Sequence, residues 1–306
     1  MVISFFMPQH FLPTILSFLD YLKFQKRYSP HTILAYENDL FSFFDFVEYE
    51  FDAKLITEIS GSYVRTWLAS LKEAGMEAKS INRKISSLKS FFKFQLQQGN
   101  VMTSPMVVII SPKIKKRLPQ FIEEKATELL FTHMEFPNDW DGKTHHLILQ
   151  ILYNTGMRQA ELITLQELNV DIGNQTIKVI GKGNKERILP VSKRLMTYIK
   201  EYIDAKKQNL ESFDCLPVLV NAKGKALYPK YVYNAVKNYL SLVTTVDKKS
   251  PHILRHTFAT HLMNGGAELN AVKELLGHSS LAATQIYTHN SIEKLKEVHK
   301  KAHPKA

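Results

Sequence analysis

The stretch Asn154-Thr-Gly-Met-Arg158-Gln-Ala-Glu161-Leu predicts a helix end, a tight turn and the start of a second helix. Gly156 can end the first helix, and Arg158 then lies at the start of the next one, where backbone N–H groups and the helix dipole favour anions. Glu161 follows three residues later and is within reach of the Arg158 guanidinium. Because an ordinary surface ion pair has the same spacing, the stretch predicts an anion site only if other residues support it.

The residues around this stretch predict a mixed α and β half of the chain. Two segments rich in Ile and Val, 175–180 and 187–191, predict strands, and the GKGNKE sequence between them suits a hairpin turn. A further short strand is predicted at 216–220. Helices are predicted at 124–136, 143–155, 192–208, 229–243, 251–264, 268–276 and 279–287.

The first hundred residues predict helices only. The pair Ser29-Pro30 is typical of an N-cap followed by proline at the first helical position. Another helix is predicted from a cap at Ser80 to a glycine C-cap at Gly99. Its apolar residues recur at spacings of four, three and four: Ile81, Ile85, Leu88 and Phe92.

The chain of 306 residues is strongly basic. It holds 40 Lys and Arg against 29 Asp and Glu, a formal charge of +11, and residues 1–111 account for only 11 of the basic and 10 of the acidic side chains. Such an excess favours a polyanion such as nucleic acid. Acidic membrane lipid is the competing partner, but it needs basic residues opposite one broad apolar face, and here they are scattered over many segments.

These patterns define the domain organisation. The fold class is mainly α with a small antiparallel β-sheet. Residues 104–119 contain three prolines and four basic side chains, which predicts an extended basic linker. The predicted boundaries are therefore 1–103 for a helical domain, 104–119 for the linker, and 120–306 for a mixed α+β domain.

Composition excludes several protein classes. No apolar run approaches the roughly 20 residues of a membrane span, and the apolar N-terminus lacks the basic segment of a secretory signal. Cys215 is the single cysteine. This excludes an intramolecular disulfide framework and a cysteine-based zinc site, and predicts a cytoplasmic location, where thiols stay reduced.

The segment Gly-Lys-Gly-Asn-Lys-Glu-Arg at 181–187 carries the second cluster of interest. It is not a phosphate-binding P-loop, which needs Gly-x-x-x-x-Gly-Lys followed by Ser or Thr, because Lys185 is followed by Glu186. The segment instead predicts a hairpin tip that presents three cations, Lys182, Lys185 and Arg187. A plain polar turn has the same composition.

Two more clusters lie near the C-terminus. His252 and Arg255 fall on one predicted helical turn, and the sequence between His252 and His256 lacks the glutamate of a His-Glu-x-x-His zinc motif. In Leu276-Gly277-His278-Ser279 the glycine predicts a helix end just before His278. Tyr287 follows nine residues later.

Taken together, these side chains favour phosphoryl transfer without a metal. Two arginines can fork onto the non-bridging oxygens of a phosphodiester. A tyrosine hydroxyl, with a pKa of about 10, attacks phosphorus only if charge is stabilised there and a base takes its proton. A kinase or polymerase would instead need carboxylates to hold Mg²⁺. No cofactor and no metal are predicted.

In order and spacing, the motifs resemble those of the tyrosine recombinases, the phage-integrase-like site-specific recombinases, and the bacterial Xer branch in particular. The matching segments are TGMRQAEL, GKGNKER, HILRHTFATHL, LGHSS and IYTH. SPHTILAYENDL and INRKISSLKSFF resemble the family's core-binding, SAM-like domain, and THNSIEKLKEVHKKAHP resembles the Xer C-terminal helix. The resemblance implies a helical core-binding domain followed by an α+β catalytic domain.

The resemblance also implies the roles of the reacting groups. Tyr287 would attack the scissile phosphate, which gives a 3′-phosphotyrosine and a free 5′-hydroxyl. Lys182 would protonate the leaving 5′-oxygen, and His252 would assist the tyrosine as acid–base. The 5′-hydroxyl of a partner strand then reverses the reaction, so neither ATP nor a metal takes part.

Four further residues receive roles around the phosphate in the same way. Arg158 and Arg255 would bind the non-bridging oxygens and stabilise the transition state. His278 would hydrogen-bond the phosphate, and Glu161 would be the carboxylate that braces the site. No member of the set is missing, which disfavours an inactive relative.

The remaining basic residues are candidates for DNA contact. Basic residues on the predicted 80–99 helix, and Lys79 just before it, are candidates for base contact. Those of the linker suit the phosphate backbone, and those of the hairpin extend the basic surface. The candidates are Lys79, Arg83, Lys89, Lys93, Lys113, Lys115, Lys116, Arg117, Lys185 and Arg187.

The partners implied by the resemblance are double-stranded DNA with an inverted-repeat site and three further recombinase protomers, identical or paralogous. Strands would be exchanged through a Holliday junction, with each C-terminal helix docked on a neighbouring protomer. A cell-division DNA translocase is a further candidate partner. The DNA site itself is not legible in the sequence.

Four functions stay open at this point. Dimer resolution of circular replicons and integration or inversion of a mobile element share all the chemistry and differ only in the DNA site. A non-catalytic DNA-binding protein is a third possibility, which a Tyr287→Phe substitution would distinguish. A type IB topoisomerase uses similar residues, but the Xer-like N-terminal domain and C-terminal tail argue against it.

Overall fold

A computed structural model describes residues 8–114, 120–181, 185–211, 214, 216–277 and 299–304. The chain divides into two compact units, Met1–Arg117 and Leu118–Ala306. The described part of the first unit is helical, and the second combines helices with a three-stranded antiparallel sheet. The predicted fold class is confirmed.

The N-terminal unit is a helical bundle around an aromatic core. Its helices are α1 (Leu12–Asp20, continued by a π-helical turn over Tyr21–Gln25), α2 (Pro30–Phe51), α3 (Gly61–Glu73) and α4 (Ala78–Gln97), with 3-10 turns at Ile56–Glu58 and Pro105–Val108. The core centres on fully buried rings: Phe11, Phe18, Phe43, Phe44, Trp67, Phe91 and Phe92. Several of these rings meet edge to face at centroid distances near 5 Å, a favourable arrangement for aromatic pairs.

The helix starts in this unit follow local capping chemistry. The Ser29 hydroxyl accepts the N–H of Thr32 at 3.3 Å and Pro30 opens α2, as predicted. Helix α4 begins at Ala78 rather than at the predicted Ser80. Glu77, which is in an extended conformation, is its N-cap, and its carbonyl already accepts the N–H of Ser80.

The predicted linker is partly folded. Within 104–119, Ser104 caps the 3-10 turn Pro105–Val108, and Met106 and Ile109 are buried in the core of the N-terminal unit. Met106 and Ile109 thus belong to the helical core rather than to a connector, whereas Val107, Val108 and Ile110 are exposed. Of the basic residues in this segment, Lys113 is described and exposed, whereas Lys115, Lys116 and Arg117 lie outside the described residues.

The C-terminal unit is built around one buried helix. Its elements are α5 (Glu124–Glu128, continued by a π-helical turn over Leu129–His133), α6 (Trp140–Thr155), α7 (Gln159–Ile163), β1 (Val170–Asp171), β2 (Thr176–Ile180), β3 (Glu186–Pro190), α8 (Lys193–Asn209), α9 (Pro229–Val243), α10 (Pro251–Asn264) and α11 (Leu269–Leu276), with a 3-10 turn at Glu167–Asn169. Helix α6 packs on α8, α9 and α10, and its last nine residues are all buried. The predicted strand at 216–220 consists of isolated bridges, Gln166 with Pro217 and Val220 with Ala226.

The sheet places alternate side chains on its two faces. Strands β1, β2 and β3 pair in that order, and Val179 of β2 stands opposite Arg187 of β3. Ile177, Val179 and Leu189 face the core, whereas Lys178 is exposed. Arg187, two residues before Leu189, therefore points inward with the apolar side chains.

Gly156 ends α6 and sets the path into the next helix. It lies in the left-handed region at φ 60°, and an added Cβ would overlap the ring of Phe258 from α10. Both conditions require glycine. The turn brings Arg158 to the start of α7, as the sequence predicts. In the part of the chain that the structure describes, no helix has the length and apolar character to cross a bilayer.

Candidate active site

Arg158 and Glu161 form a closed pair at the start of α7. The Arg158 backbone N–H donates to Glu161 Oε2 at 2.7 Å, and its guanidinium NH1 donates to Oε1 at 2.8 Å. The Arg158 side chain remains about one-third exposed (32%) while that of Glu161 is buried. This is more than a surface ion pair, because the carboxylate caps a helix start and orients a partly open arginine at once.

Arg187 reaches the same carboxylate from β3. Its NH1 and NH2 donate to Glu161 Oε1 and Oε2, each at 2.8 Å, and its Nε donates to the carbonyl of Leu275 at 2.9 Å. The side chain is 5% exposed. The predicted DNA contact of Arg187 does not fit this burial. The side chain is buried because the alternation of side chains along β3 turns it inward, toward the carboxylate of Glu161.

Arg255 lies on α10 and completes the cluster. Its NH1 donates to the carbonyl of Gly156 at 2.7 Å and its NH2 to the carbonyl of Leu276. Burial, and then the positive charges of Arg158 and Arg187, lower the pKa of Arg255 to about 10, partly offset by Glu161. The guanidinium is therefore still charged at neutral pH.

The C-terminal end of α11 is held by all three arginines. The successive carbonyls of Leu275, Leu276 and Gly277 accept hydrogen bonds from Arg187, Arg255 and Arg158. A helix C-terminus carries partial negative charge, which complements the guanidinium groups. Gly277 ends the helix at φ 63°, so the chain departs toward residue 278 from the arginine cluster itself.

Among the described residues, Glu161 is the single carboxylate that contacts this group of three arginines. Burial raises its pKa, but hydrogen bonds from Arg187 and Arg158 outweigh that effect and lower the pKa to about 2. The carboxylate is thus ionised at any physiological pH. Three guanidinium groups against one carboxylate leave excess positive charge in a largely buried place, which suits an anion such as a phosphodiester.

His252 lies on the first turn of α10, one turn before Arg255, and is exposed. Although the residue is exposed overall, partial burial lowers its pKa, and the charges of Arg255, His256 and Arg158 lower it further. A neutral imidazole beside an arginine cluster can accept a proton. His256, also exposed, lies one turn further along, and no group of three or more potential metal ligands occurs among the described residues.

The other predicted catalytic residues cannot be placed in this geometry. Lys182, His278 and Tyr287 lie outside the described residues. Gly181 and Gly277 flank two of them, and each packs against the Glu161–Arg187 network.

The candidate DNA-contact residues of the N-terminal unit lie on α4. Lys79, Arg83, Lys89 and Lys93 are all exposed on its outer side, opposite Ile81, Ile85 and Leu88. Arg83 is held in place by Asp39 of α2, which its NH1 contacts at 2.6 Å. In the C-terminal unit Lys185 is exposed beside β3.

Two polar features of these regions have no counterpart in the sequence-based analysis. One is the contact of Arg187 with Glu161. The sequence feature that could have predicted its inward orientation is its position two residues before Leu189 in a strand of alternating side chains. The other is the buried Asp39, which also accepts from Lys84 at 3.1 Å and Ser87 at 2.7 Å. An acidic residue inside an apolar helix face was the available signal.

The C-terminal segment 299–304 packs on its own unit. His299 Nε2 donates to the carbonyl of Asn154 at 2.9 Å, and Ala302 lies against Gly265. Docking of this segment on a neighbouring protomer, implied by the family resemblance, stays a prediction.

The comparisons with known proteins agree with this architecture. The phage integrase family model matches residues 120–294, and that of the phage integrase N-terminal SAM-like domain matches residues 15–99. A tyrosine recombinase XerC of Chlorobaculum parvum is 35% identical over 314 aligned residues, which cover 94% of each chain. The XerC of Anoxybacillus flavithermus is 36% identical over 296 residues, with 96% of this chain and 98% of the relative covered.

Solved structures share the fold. XerH recombinase bound to a palindromic difH substrate superposes with a TM-score of 0.67 at 24% identity, covering 87% of this chain and 78% of XerH. The integrase of transposon Tn1549 in complex with circular intermediate DNA gives 0.68 at 20% identity, covering 92% and 98%.

The chain belongs to the phage integrase family, the tyrosine recombinases. Within that family it is an Xer-type site-specific recombinase, an enzyme whose substrate is DNA.

Proposed function

We propose that this recombinase resolves dimers of circular replicons, and that Arg158 and Arg255 hold the scissile phosphate of its DNA site. The observation that carries the residue assignment is the excess of guanidinium groups around Glu161. The relatives named XerC, matched over nearly their full length, support the replicon assignment. Circular replicons are handled in the cytoplasm, which is the proposed location.

The proposed chemistry is a transesterification. The Tyr287 hydroxyl oxygen bonds to phosphorus, the bond from phosphorus to the 5′-oxygen breaks, and the DNA 3′ end becomes a phosphotyrosine. Lys182 supplies the proton that the leaving 5′-oxygen takes, and His252 takes the proton of the tyrosine. A 5′-hydroxyl from a partner strand attacks the phosphotyrosine in reverse, so bond energy is conserved.

Each arginine has a task in this scheme. Arg158 is oriented by Glu161 and keeps part of its surface open, so it can donate to a non-bridging oxygen. Arg255, anchored on Gly156, neutralises charge that grows in the transition state. His278, which follows the α11 end that both arginines hold, donates to the same phosphate.

The proposed assembly is a tetramer on two DNA duplexes. The exposed basic side of α4 binds the groove of an inverted-repeat half-site. Backbone phosphates are neutralised by the remaining basic candidates, Lys113, Lys115, Lys116, Arg117 and Lys185. The four protomers are identical, or alternate with a paralogous recombinase. A cell-division DNA translocase would then control when the junction is exchanged.

A covalent trap tests the function. The protein is incubated with fragmented DNA of its source organism and denatured, and protein-linked fragments are recovered and sequenced, with Tyr287→Phe as the control. One enriched site on the main replicon is the expected result. Enrichment of several inverted-repeat pairs or element ends would assign the chain to inversion or integration instead. Adducts at arbitrary sites would indicate a topoisomerase, and DNA binding without any Tyr287-dependent adduct a non-catalytic protein.

A further inference from the structure

We propose that Arg187 is a positioning residue of the recombination reaction, acting through Glu161 to hold Arg158 in its phosphate-binding orientation. This inference rests on the proposed function and goes beyond it, because neither the family motifs nor the charge pattern assigns Arg187 such a task. Its place after the hairpin had suggested a DNA contact.

Every nitrogen of the Arg187 guanidinium is committed inside the protein. NH1 and NH2 bond the two oxygens of Glu161, and Nε bonds the Leu275 carbonyl. Arg255 is about as buried, but its Nε has no hydrogen-bond acceptor among the described residues, whereas all three Arg187 nitrogens have one and its side chain is 5% exposed. Arg158 differs in this respect, because its side chain is 32% exposed. The two arginines therefore share one carboxylate, but only one of them is presented outward.

Arg187 holds Glu161 at the same two oxygens as Arg158. Each Glu161 oxygen accepts one hydrogen bond from each arginine: Oε1 from both NH1 groups, and Oε2 from the Arg158 backbone N–H and from Arg187 NH2. Arg187 thus ties the Arg158–Glu161 pair, which lies within one helical turn, to β3 and to the end of α11. Without Arg187, Glu161 would be bonded only to Arg158 itself, and the pair would lose this tertiary anchor.

Arg187 also keeps that carboxylate ionised. Burial alone raises the pKa of Glu161, and hydrogen bonds from Arg187 are the largest opposing effect, followed by those from Arg158. In the part of the chain that the structure describes, the charged groups that interact with Glu161 are these two arginines and, at longer range, Arg255. Removal of Arg187 therefore raises the pKa of Glu161, and a protonated Glu161 releases Arg158 as the pH falls.

Lysine cannot replace this arginine. A guanidinium presents a planar fork with a third donor, whereas an ammonium is a single point of charge. The stem of Arg187 also packs against Gly277, where an added Cβ would approach its Cδ to 3.1 Å. Arg187 thereby joins β3, α7 and the end of α11.

The experiment compares Arg187→Gln, Arg187→Lys and wild type on the DNA site recovered by the covalent trap, carrying a nick that makes cleavage irreversible. The rate of adduct formation at saturating protein is measured from pH 5 to pH 8. Lys206→Met is the matched control, because Lys206 is a fully buried cation paired with Glu167 in the same unit, away from the site. Melting temperatures show whether each variant is folded, and filter binding gives its DNA affinity.

We expect Arg187→Gln to cleave on the order of 10²-fold more slowly at pH 7, as for a displaced catalytic group. The ratio of variant to wild-type rate should fall further toward pH 5, while DNA affinity stays within a few-fold. His252 also titrates, and its pKa responds to the charge of Arg158, so the pH effect is assigned to Glu161 only if it is absent from the Glu161→Gln enzyme. Arg187→Lys should rescue little, and Lys206→Met should cleave at the wild-type rate.

A double-mutant cycle with Glu161→Gln completes the test. If Arg187 acts through Glu161, Arg187→Gln slows the Glu161→Gln enzyme hardly at all. Three results would overturn the inference. The first is a double variant whose rate loss is the product of the two single losses, the second is a ratio of Arg187→Gln to wild-type rate that does not change with pH, and the third is an equal slowing by Lys206→Met. If the wild-type protein forms no adduct, the proposed function and this inference both fail. If the wild-type protein is active and Arg187→Gln cleaves at the same rate, only this inference fails.

Discussion

At the scale of single residues, the site is organised around one buried carboxylate. Glu161 is three residues from Arg158 in sequence and 26 from Arg187, so it connects a local helix-capping contact to a tertiary one. Breaking such a pair leaves an uncompensated charge in a buried place, which costs more than the intact pair contributes. The Glu161 network should therefore be visible in stability as well as in catalysis.

Glu161→Gln gives the first prediction. The pKa of Glu161 is about 2 in the folded protein, against an ordinary value of 4.5. The ionised group therefore stabilises the fold above pH 4.5, and this contribution is lost as the pH falls toward 2. The full contribution is about 3 kcal/mol. Chemical unfolding should show wild type more stable than the variant at pH 7, with a gap that shrinks between pH 5 and pH 3. A gap of constant size would contradict the assignment.

At the scale of elements, helix ends position the chemistry. Gly156 ends α6, Arg158 begins α7, and the last carbonyls of α11 meet the three arginines. Each end depends on a residue with special backbone freedom or capping ability. Small changes at these ends should move the cluster without touching a charged group.

Gly156→Ala tests the α6 end. A residue with a Cβ is strained at φ 60°, by about 1–2 kcal/mol, and the added methyl group overlaps Phe258, which adds about 1–3 kcal/mol. The control is Gly266→Ala in the same unit, where φ is 86° but nothing lies within 4 Å of the added Cβ. Urea unfolding should show a clearly larger loss for Gly156→Ala. Equal losses would mean that Phe258 simply moves aside.

The basic side of α4 makes a separate prediction about DNA binding. Each side chain that neutralises a DNA phosphate contributes about 0.9 to the slope of log affinity against log salt. We expect Lys93→Gln to reduce the slope by that amount, and Lys72→Gln, at an exposed lysine on α3, to leave it unchanged. Titrations at several salt concentrations measure the slope. An unchanged slope for Lys93→Gln would remove that residue from the interface.

Elements were more predictable than their tertiary relations. Apolar periodicity was enough for α4, because Ile81, Ile85 and Leu88 are its buried face. It did not reveal that Met106 belongs to the N-terminal core, since prolines nearby resemble linker punctuation. Arg158 and Glu161 were paired correctly because their contact is local. The contact of Glu161 with Arg187 depends on where β3 packs, which no local pattern specifies.

At the scale of the whole molecule, both units of the chain match the domains of one family, while charge is divided unequally between them. Most of the positive excess follows residue 111. The chain's end also returns to the unit that holds the arginines. His299 and His303 stack at 5.0 Å and contact the carbonyls of Asn154 and Tyr153, at the end of the helix that leads into the Arg158 motif.

The last prediction concerns this return of the C-terminal segment. Burial lowers the pKa of His299 below its usual 6.5, against a smaller opposing effect of its hydrogen bond to Asn154. A group that is neutral when docked and protonates more readily when free disfavours docking as the pH falls below 6.5. Residues 299–304 should therefore detach increasingly between pH 7 and pH 5. Hydrogen exchange of that segment, corrected for the intrinsic effect of pH, measures the opening.

The matched variant is His299→Gln, which keeps an N–H donor for Asn154 but has no proton to gain in this range. Its opening should depend less steeply on pH than that of wild type, because His303 of the same segment remains in both proteins and cancels from the comparison. His261, another buried histidine with a lowered pKa, is present in both proteins and so cancels from the comparison. Equal pH dependence in the two would assign the effect to another group. If opening rises more steeply toward pH 5 in wild type than in the variant, then docking of residues 299–304 at the catalytic unit is coupled to the protonation of His299.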